Sequence, residues 1–134
     1  VHVTLPGFDT HARQLPTHAG LLQQLDAALA AFLADLDGHG LGERVAVLVH
    51  SEFGRRVAEN ASQGTDHGAA APVFVFGGGV GGGPLGAVPD LGDLDDGDIK
   101  VTTDFRSVYA ELLRWLGIDD GKVLGAHFDG VGLW

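Results

Sequence analysis

Apolar residues recur at three- and four-residue intervals from Leu21 to Leu36, with polar residues between them. Leu21, Leu25, Ala28, Phe32 and Leu36 keep helical spacing, and Leu22, Leu29 and Leu33 widen the stripe. Asp26 and Asp35 fall outside it. The pattern predicts a helix with Thr17 as N-cap and Gly38 as a left-handed stop. So wide a stripe packs one broad face on a sheet or on other helices. Val45-Ala46-Val47-Leu48-Val49 is a nearly continuous apolar run, and Pro72-Val73-Phe74-Val75-Phe76 is a second. Such runs suit strands covered on both faces, as in α/β sheets. His2-Val3-Thr4-Leu5 is short and β-favouring, and Pro6-Gly7 ends it, so it reads as a strand running into a loop. Ile99-Lys100-Val101 reads as a further short strand. A second helix is expected from Asp104 to Leu116, buried through Phe105, Val108, Leu112 and Leu116. Thr103 or Asp104 caps it and Gly117 ends it. The tail to Trp134 reads as loop with short extended pieces. Strands alternating with helices argue for an α/β layer structure.

In open α/β sheets, chemistry collects at the carboxyl ends of strands. Three polar clusters fall beside predicted strands: Asp9 and His11 after the first, His50 to Arg55 after the second, and Asp66 and His67 before the third. Composition narrows what they can do. The chain has 134 residues, of which 45% are apolar, enough for one domain with a core. It lacks any run of about 18 uncharged apolar residues, so no membrane span is expected. It carries 18 acidic and 8 basic residues, a formal charge of −10. That field repels a nucleic acid and attracts a divalent cation. Cysteine is absent, so any metal must be held by His, Asp, Glu or carbonyl oxygen. The first residue is Val, and the expected first strand starts almost at once, which suggests a truncated or processed chain.

Asp9-Thr10-His11 offers a carboxylate and an imidazole two positions apart, and extended backbone points both the same way. Asp66-His67 is an adjacent pair between Gly64 and Gly68, which lets a loop turn enough for both side chains to converge. Four ligands of these types suit zinc or manganese better than magnesium or calcium. The alternative is a cap or turn at Asp9-Thr10 and a polar turn at Asp66. Ser51-Glu52-Phe53-Gly54-Arg55 places Glu52 and Arg55 as candidate catalytic residues in the site wall, with the Arg55 fork suited to an anionic oxygen. The competing reading is an ion pair from Glu52 to Arg55 or Arg56 that only fixes the loop. Ser51 lacks the Gly-x-Ser-x-Gly setting of an activated nucleophile.

Gly77-Gly78-Gly79-Val80-Gly81-Gly82 fits Gly-x-Gly-x-x-Gly, but Pro84 and Pro89 follow where a dinucleotide fold needs a helix, so it reads as a turn. Asp90, Asp93, Asp95, Asp96 and Asp98 lack the spacing of a calcium loop and read as solvated surface. Asp104 and Arg106 read as a cap and a surface pair. His2, His18, His39 and His127 are isolated; His127 alone is placed to join the site from the tail.

Phe8-Asp9-Thr10-His11, Ser51-Glu52-Phe53-Gly54-Arg55, Gly64-Thr65-Asp66-His67-Gly68, Phe76-Gly77-Gly78-Gly79 and Thr103-Asp104-Phe105-Arg106 together resemble one family. It is a bacterial family of unknown function, often exported by a twin-arginine signal and grouped with the alkaline phosphatase-like and sulfatase-like hydrolases. The resemblance covers nearly the whole chain and corresponds to the C-terminal third of the family's length. It implies a three-layer α/β/α sandwich, of which residues 1–134 form the C-terminal part as one domain. It implies a two-metal centre, with Asp66 and His67 on one ion and Asp9 and His11 on the other. The superfamily's upstream step is more often Asp-x-x-x-His than the Asp-x-His found here. It also implies a further Asp ligand and a nucleophile in an N-terminal half, a small anionic ester as substrate, and export to the periplasm or beyond. Two functions stand open: metal-dependent hydrolysis of phosphate or sulfate esters, or a non-catalytic exported binding or scaffold protein on the same fold.

Overall fold

A computed structural model describes residues 1–134. The chain is mixed α/β with small sheets. In order it forms α1 (Gln14–Gly38), a 3₁₀ turn over Gly42–Arg44, β1 (Ala46–Val49), β2 (Gly54–Glu59), β3 (Thr65–Gly68) and β4 (Phe74–Gly77). Then follow β5 (Leu94–Asp95), β6 (Asp98–Ile99), α2 (Phe105–Trp115) and α3 (Asp120–Leu124). β1 pairs with β4, β2 with β3 and β5 with β6, each pair antiparallel.

The two apolar runs find each other, with Val47 opposite Phe76 and Leu48 opposite Val75. Each has only this one neighbour, so β1 is half-buried along its length rather than covered on both faces. His2–Leu5 forms no strand, because no segment lies beside it to complete a ladder. The stretch expected to be a polar loop contains the β2–β3 hairpin instead. Gly54 lies opposite Gly68 and Arg55 opposite His67, and the register is irregular between Arg55 and Glu59.

α1 starts at Gln14, one turn before Thr17. Arg13 takes the cap position with a left-handed φ of 43° and no side-chain cap bond. The backbone N–H groups of Arg13 and Gln14 donate to the carbonyls of Ser62 (2.9 Å) and Gln63 (2.8 Å) in the hairpin turn. Those carbonyls serve the helix start in place of the expected Thr17 hydroxyl. Pro16 falls in the first helical turn, where its missing N–H costs nothing. Gly38 is the last helical residue and His39 the C-cap; Gly40, at φ 67°, makes the left-handed turn in place of Gly38. Its inward row is Leu21, Leu25, Leu29, Leu33 and Leu36, while Leu22 and Phe32 are exposed. On length and composition alone, α1 is long and apolar enough to cross a membrane, which the sequence reading did not anticipate. Asp26 opposes such a placement by about 2.5–3.5 kcal/mol at a bilayer centre.

α2 begins as expected. The Asp104 carboxylate accepts from the Arg106 backbone N–H at 2.9 Å and also holds the Arg106 guanidinium. Its buried residues are Val108 and Ala110, whereas Phe105 and Leu116 are exposed. Gly117, at φ 75°, ends it. In the tail, α3 was not foreseen. It is five residues long, capped by Asp119, and tied to α2 by the Arg114–Asp120 pair. Trp134 stacks on Trp115 and donates from Nε1 to the Gly78 carbonyl at 2.7 Å, which fastens the chain end to the turn after β4.

Gly64 marks where the N-terminal segment meets the hairpin. A Cβ there would overlap the carbonyl group of His11 and the nitrogen of Ala12. Gly64→Ala is therefore expected to push the two segments apart and destabilise the fold by about 1–3 kcal/mol. A lower Tm in thermal denaturation checks this.

Candidate metal centre

The segment Phe8–His11 has no regular structure and is held by bonds to β2 and to the turn that follows it. The Arg55 guanidinium donates from Nη1 to the Thr65 carbonyl (2.6 Å) and from Nη2 to the Phe8 carbonyl (2.7 Å). Its Nη2 also lies 3.4 Å from Asp9 Oδ1. The hairpin then presents His67 to the segment, and three side chains meet. Asp9 Oδ1 is 2.8 Å from His67 Nε2 and 2.9 Å from His11 Nε2, and the two Nε2 atoms are 3.2 Å apart. For a tetrahedral zinc shell with bonds near 2.0–2.1 Å, the ligand-to-ligand edge is roughly 3.3 Å. The observed triangle is slightly tighter than that.

Asp66 stands elsewhere. Its Oδ1 lies 3.5 Å from His11 Nδ1, on the opposite side of the imidazole from Asp9. The flanking Gly64 and Gly68 suggest a loop on which Asp66 and His67 converge. They lie instead on strand β3, where successive side chains leave on opposite faces. His67 reaches Asp9, and Asp66 reaches the far edge of His11.

Both ring nitrogens of His11 thus face carboxylate oxygens. A neutral imidazole has one N–H, so one of these contacts would set a lone pair against an oxygen. A cation shared by Nε2 and Asp9 resolves that. Were the proton on Nδ1, beside Asp66 at 3.5 Å, the Nε2 lone pair would be directed at the Asp9–His67 side. A carboxylate behind a ligating imidazole is the usual outer support of a metal centre. The residues therefore fit a divalent ion held by Asp9, His11 and His67.

The hydrogen bond from His67 is the chief influence holding the Asp9 carboxyl below its ordinary range, with the His11 and Arg55 charges adding to it. Asp66 is lowered chiefly by its bond from Asn60 and secondarily by His11. Both acids are therefore anionic at neutral pH, as ligation or its support requires. Phe53 stacks on the His67 ring with centroids 3.9 Å apart and planes 11° from parallel, while the Arg55 guanidinium lies over its ring. Phe53 appeared in the sequence only as part of a motif, and nothing in its spacing marked it as a support for His67. Asn60 was likewise missed.

Glu52 is exposed and makes no side-chain hydrogen bond or ion pair, with Arg55, Arg56 or any other group. Arg56 turns away to Asp98 and the Asp96 carbonyl on the β5–β6 hairpin. The Ser51 hydroxyl donates to the Phe53 carbonyl at 2.7 Å. His50 lies edge-on to Tyr109.

His127 does not join this centre. It forms a second cluster with Asp119 and Asp120. Asp120 is 3% exposed, and its oxygens receive Arg114 (2.9 Å), His127 Nδ1 (3.0 Å) and the Phe128 N–H (3.2 Å). The Arg114 cation already satisfies this carboxylate, so the cluster reads as a structural tie between α2 and the tail.

Arg114 is the main reason the Asp120 carboxyl is held far below the usual value of 3.8, with His127 and the Phe128 N–H contributing. The folded state thus binds the Asp120 proton more weakly than the unfolded chain. Its stabilising effect is complete above about pH 4 and is lost as pH falls through the depressed folded value. Asp120→Asn is expected to melt below wild type at pH 7. The gap should narrow as pH is taken progressively below 3.8, measured as Tm against pH for both proteins.

Residues 1–131 match the family model described as "Protein of unknown function (DUF1501)". No curated protein and no solved structure matches the chain at a significant level. With the match spanning nearly every residue, the chain belongs to the DUF1501 family.

Proposed function

We propose that this chain carries the metal-binding part of a hydrolase that cleaves phosphate or sulfate esters. The observation that carries the reading is the convergence of Asp9 Oδ1, His11 Nε2 and His67 Nε2 within 3.2 Å of one another. Two imidazoles and one carboxylate suit zinc or manganese. Asp9, His11 and His67 would hold the ion and Asp66 would orient His11. The bound metal would supply Lewis-acid polarisation of the ester and an activated oxygen nucleophile. The finer assignments rest on motif resemblance: an alkaline phosphatase-like α/β/α sandwich, a second ion, a nucleophile outside these residues, and twin-arginine export.

The chain's own groups have distinct tasks in this reading. Arg55 fixes Asp9 and the Phe8 and Thr65 carbonyls, which leaves its Nε–H and one Nη1–H for an anionic ester oxygen. Glu52, next in the chain to Phe53, is exposed and free of internal partners, so in this reading it would accept a substrate proton or hydroxyl. Phe53 holds the His67 plane. The chain's net charge of −10 draws a cation and repels an anionic ester, so local positive charge at Arg55 and the metal would have to offset that field.

One observation favours the alternative, a binding or scaffold protein on the same fold. Most of the Arg55 fork is bonded to protein oxygens, as expected of a residue that builds the loop rather than one that meets substrate. Metal content and hydrolysis of aryl phosphates and sulfates by the full-length protein separate the two. The hydrolase reading expects about one or two zinc or manganese ions per chain, turnover, and loss of both with His67→Ala. Bound metal without turnover favours the scaffold. Absence of bound metal in a folded protein removes the centre altogether. Phe53→Leu keeps the bulk but removes the ring stack, worth about 0.5–1.5 kcal/mol. It is expected to weaken zinc binding up to about tenfold, read by competition with a chromophoric chelator, and to lower metal-free Tm by a few degrees.

A further inference from the structure

Asn60 follows β2 at the entrance to the turn, half-buried between the hairpin and the N-terminal segment. Its amide works at both ends. Oδ1 accepts from the backbone N–H of Ser62 (2.9 Å) and of Gly64 (3.1 Å). Nδ2 donates to the His11 carbonyl (3.1 Å) and to Asp66 Oδ1 (3.2 Å). One planar group thus ties the turn, the backbone of a ligand residue and the carboxylate behind that residue's ring.

We propose that Asn60 is a positioning residue of the metal centre: its NH₂ group holds His11 by the main chain and by the Asp66 carboxylate at once. The inference rests on the metal-centre reading above. His11 lies outside any helix or strand, so its backbone has no ladder to fix it. A loop residue can place an imidazole within the tolerance of a coordination shell only if main chain and ring are both held. Asn60 supplies the first hold directly and the second through Asp66, whose Oδ1 lies 3.5 Å from His11 Nδ1. An amide of this length suits the task. Asp accepts the two turn bonds but cannot donate, and Ser is too short to span both sides.

Asn60→Asp separates the two ends. It keeps the acceptor for Ser62 and Gly64, so the turn survives. It removes both donors, and it sets a carboxylate against Asp66. Its added negative charge attracts a cation, so weaker binding would report displacement of Asp66 and His11 rather than repulsion of the ion.

The test measures zinc and manganese affinity by chelator competition and metal-free Tm, on the purified protein and its variants. Asn60→Asp is expected to lose less metal-free Tm than Asn60→Ala, because the turn bonds remain, yet to bind zinc about ten- to a hundredfold more weakly, the usual cost of losing outer support. Asn60→Ala should lose both affinity and Tm. Wild-type affinity in folded Asn60→Asp overturns the proposal. If Asn60→Asp does not fold, Asn60→Ser serves instead, since its hydroxyl is too short to reach both the His11 carbonyl and Asp66 and leaves the charge of the centre unchanged. A tenfold or larger loss there supports the proposal, and unchanged affinity overturns it. Failure of wild type to bind either metal would overturn the metal-centre reading and this inference together; wild-type binding with indifferent variants removes the positioning role alone.

Discussion

Phe8 to Gln14 lies along the turn of the β2–β3 hairpin, and a small set of polar bonds keeps it there. Arg55 takes the Phe8 carbonyl, Asn60 takes the His11 carbonyl, and the Ser62 and Gln63 carbonyls receive the first N–H groups of α1. Gly64 allows the close approach that these bonds require. Ring packing adds an edge-on contact of Phe8 with His18, centroids 5.8 Å apart, but none of the buried hydrophobic residues Leu36, Val108, Ala110 and Leu133 lies in this segment. Asp9 and His11 therefore depend on hydrogen bonds for their position. Each such bond contributes about 0.5–1.5 kcal/mol net, so the docking is real but modest, and no single bond carries it.

The apolar surface is incompletely covered. The accessible area is 9116 Å², against about 6,700 Å² for a compact monomer of this mass. The excess includes Leu22 and Phe32 on α1, Phe74 on β4, and Phe105 and Leu116 on α2. The sheets are narrow for the same reason: β1 and β4 satisfy one another and no third strand joins them. Apolar patterning strong enough to specify helices and strands is present, and much of it faces outward.

That arrangement explains what could be read from the residues. Helix periodicity was legible because it is a local property: α1 and α2 appear close to where Leu21–Leu36 and Phe105–Leu116 placed them. Their ends were legible only where a side chain caps. Asp104 was recognisable, whereas the start of α1 depends on carbonyls about fifty residues away, which no local pattern encodes. The β2–β3 hairpin was hidden because Arg55, Arg56 and Glu59 break the alternation that marks a strand. His11, Asp9 and His67 were identifiable as metal-ligating types, and the structure brings them together. The place of Asp66 was not legible, since it follows from the strand pairing that sends it to the other side of His67. Phe53 and Asn60 act through a ring face and an amide, features that composition and spacing leave unmarked.

The distances in sequence carry a kinetic consequence. The β2–β3 hairpin and α1 each form from neighbouring residues, while Arg55–Phe8 and His67–Asp9 span 47 and 58 positions. Closing such loops is slow relative to making a helix or a hairpin, so the N-terminal segment should settle onto a turn already made. It should also be first to leave. The amide protons of Arg13 and Gln14, bonded to Ser62 and Gln63, would then exchange with solvent through a local opening far cheaper than global unfolding. Those two protons report, from a position outside the centre itself, how often its halves come apart.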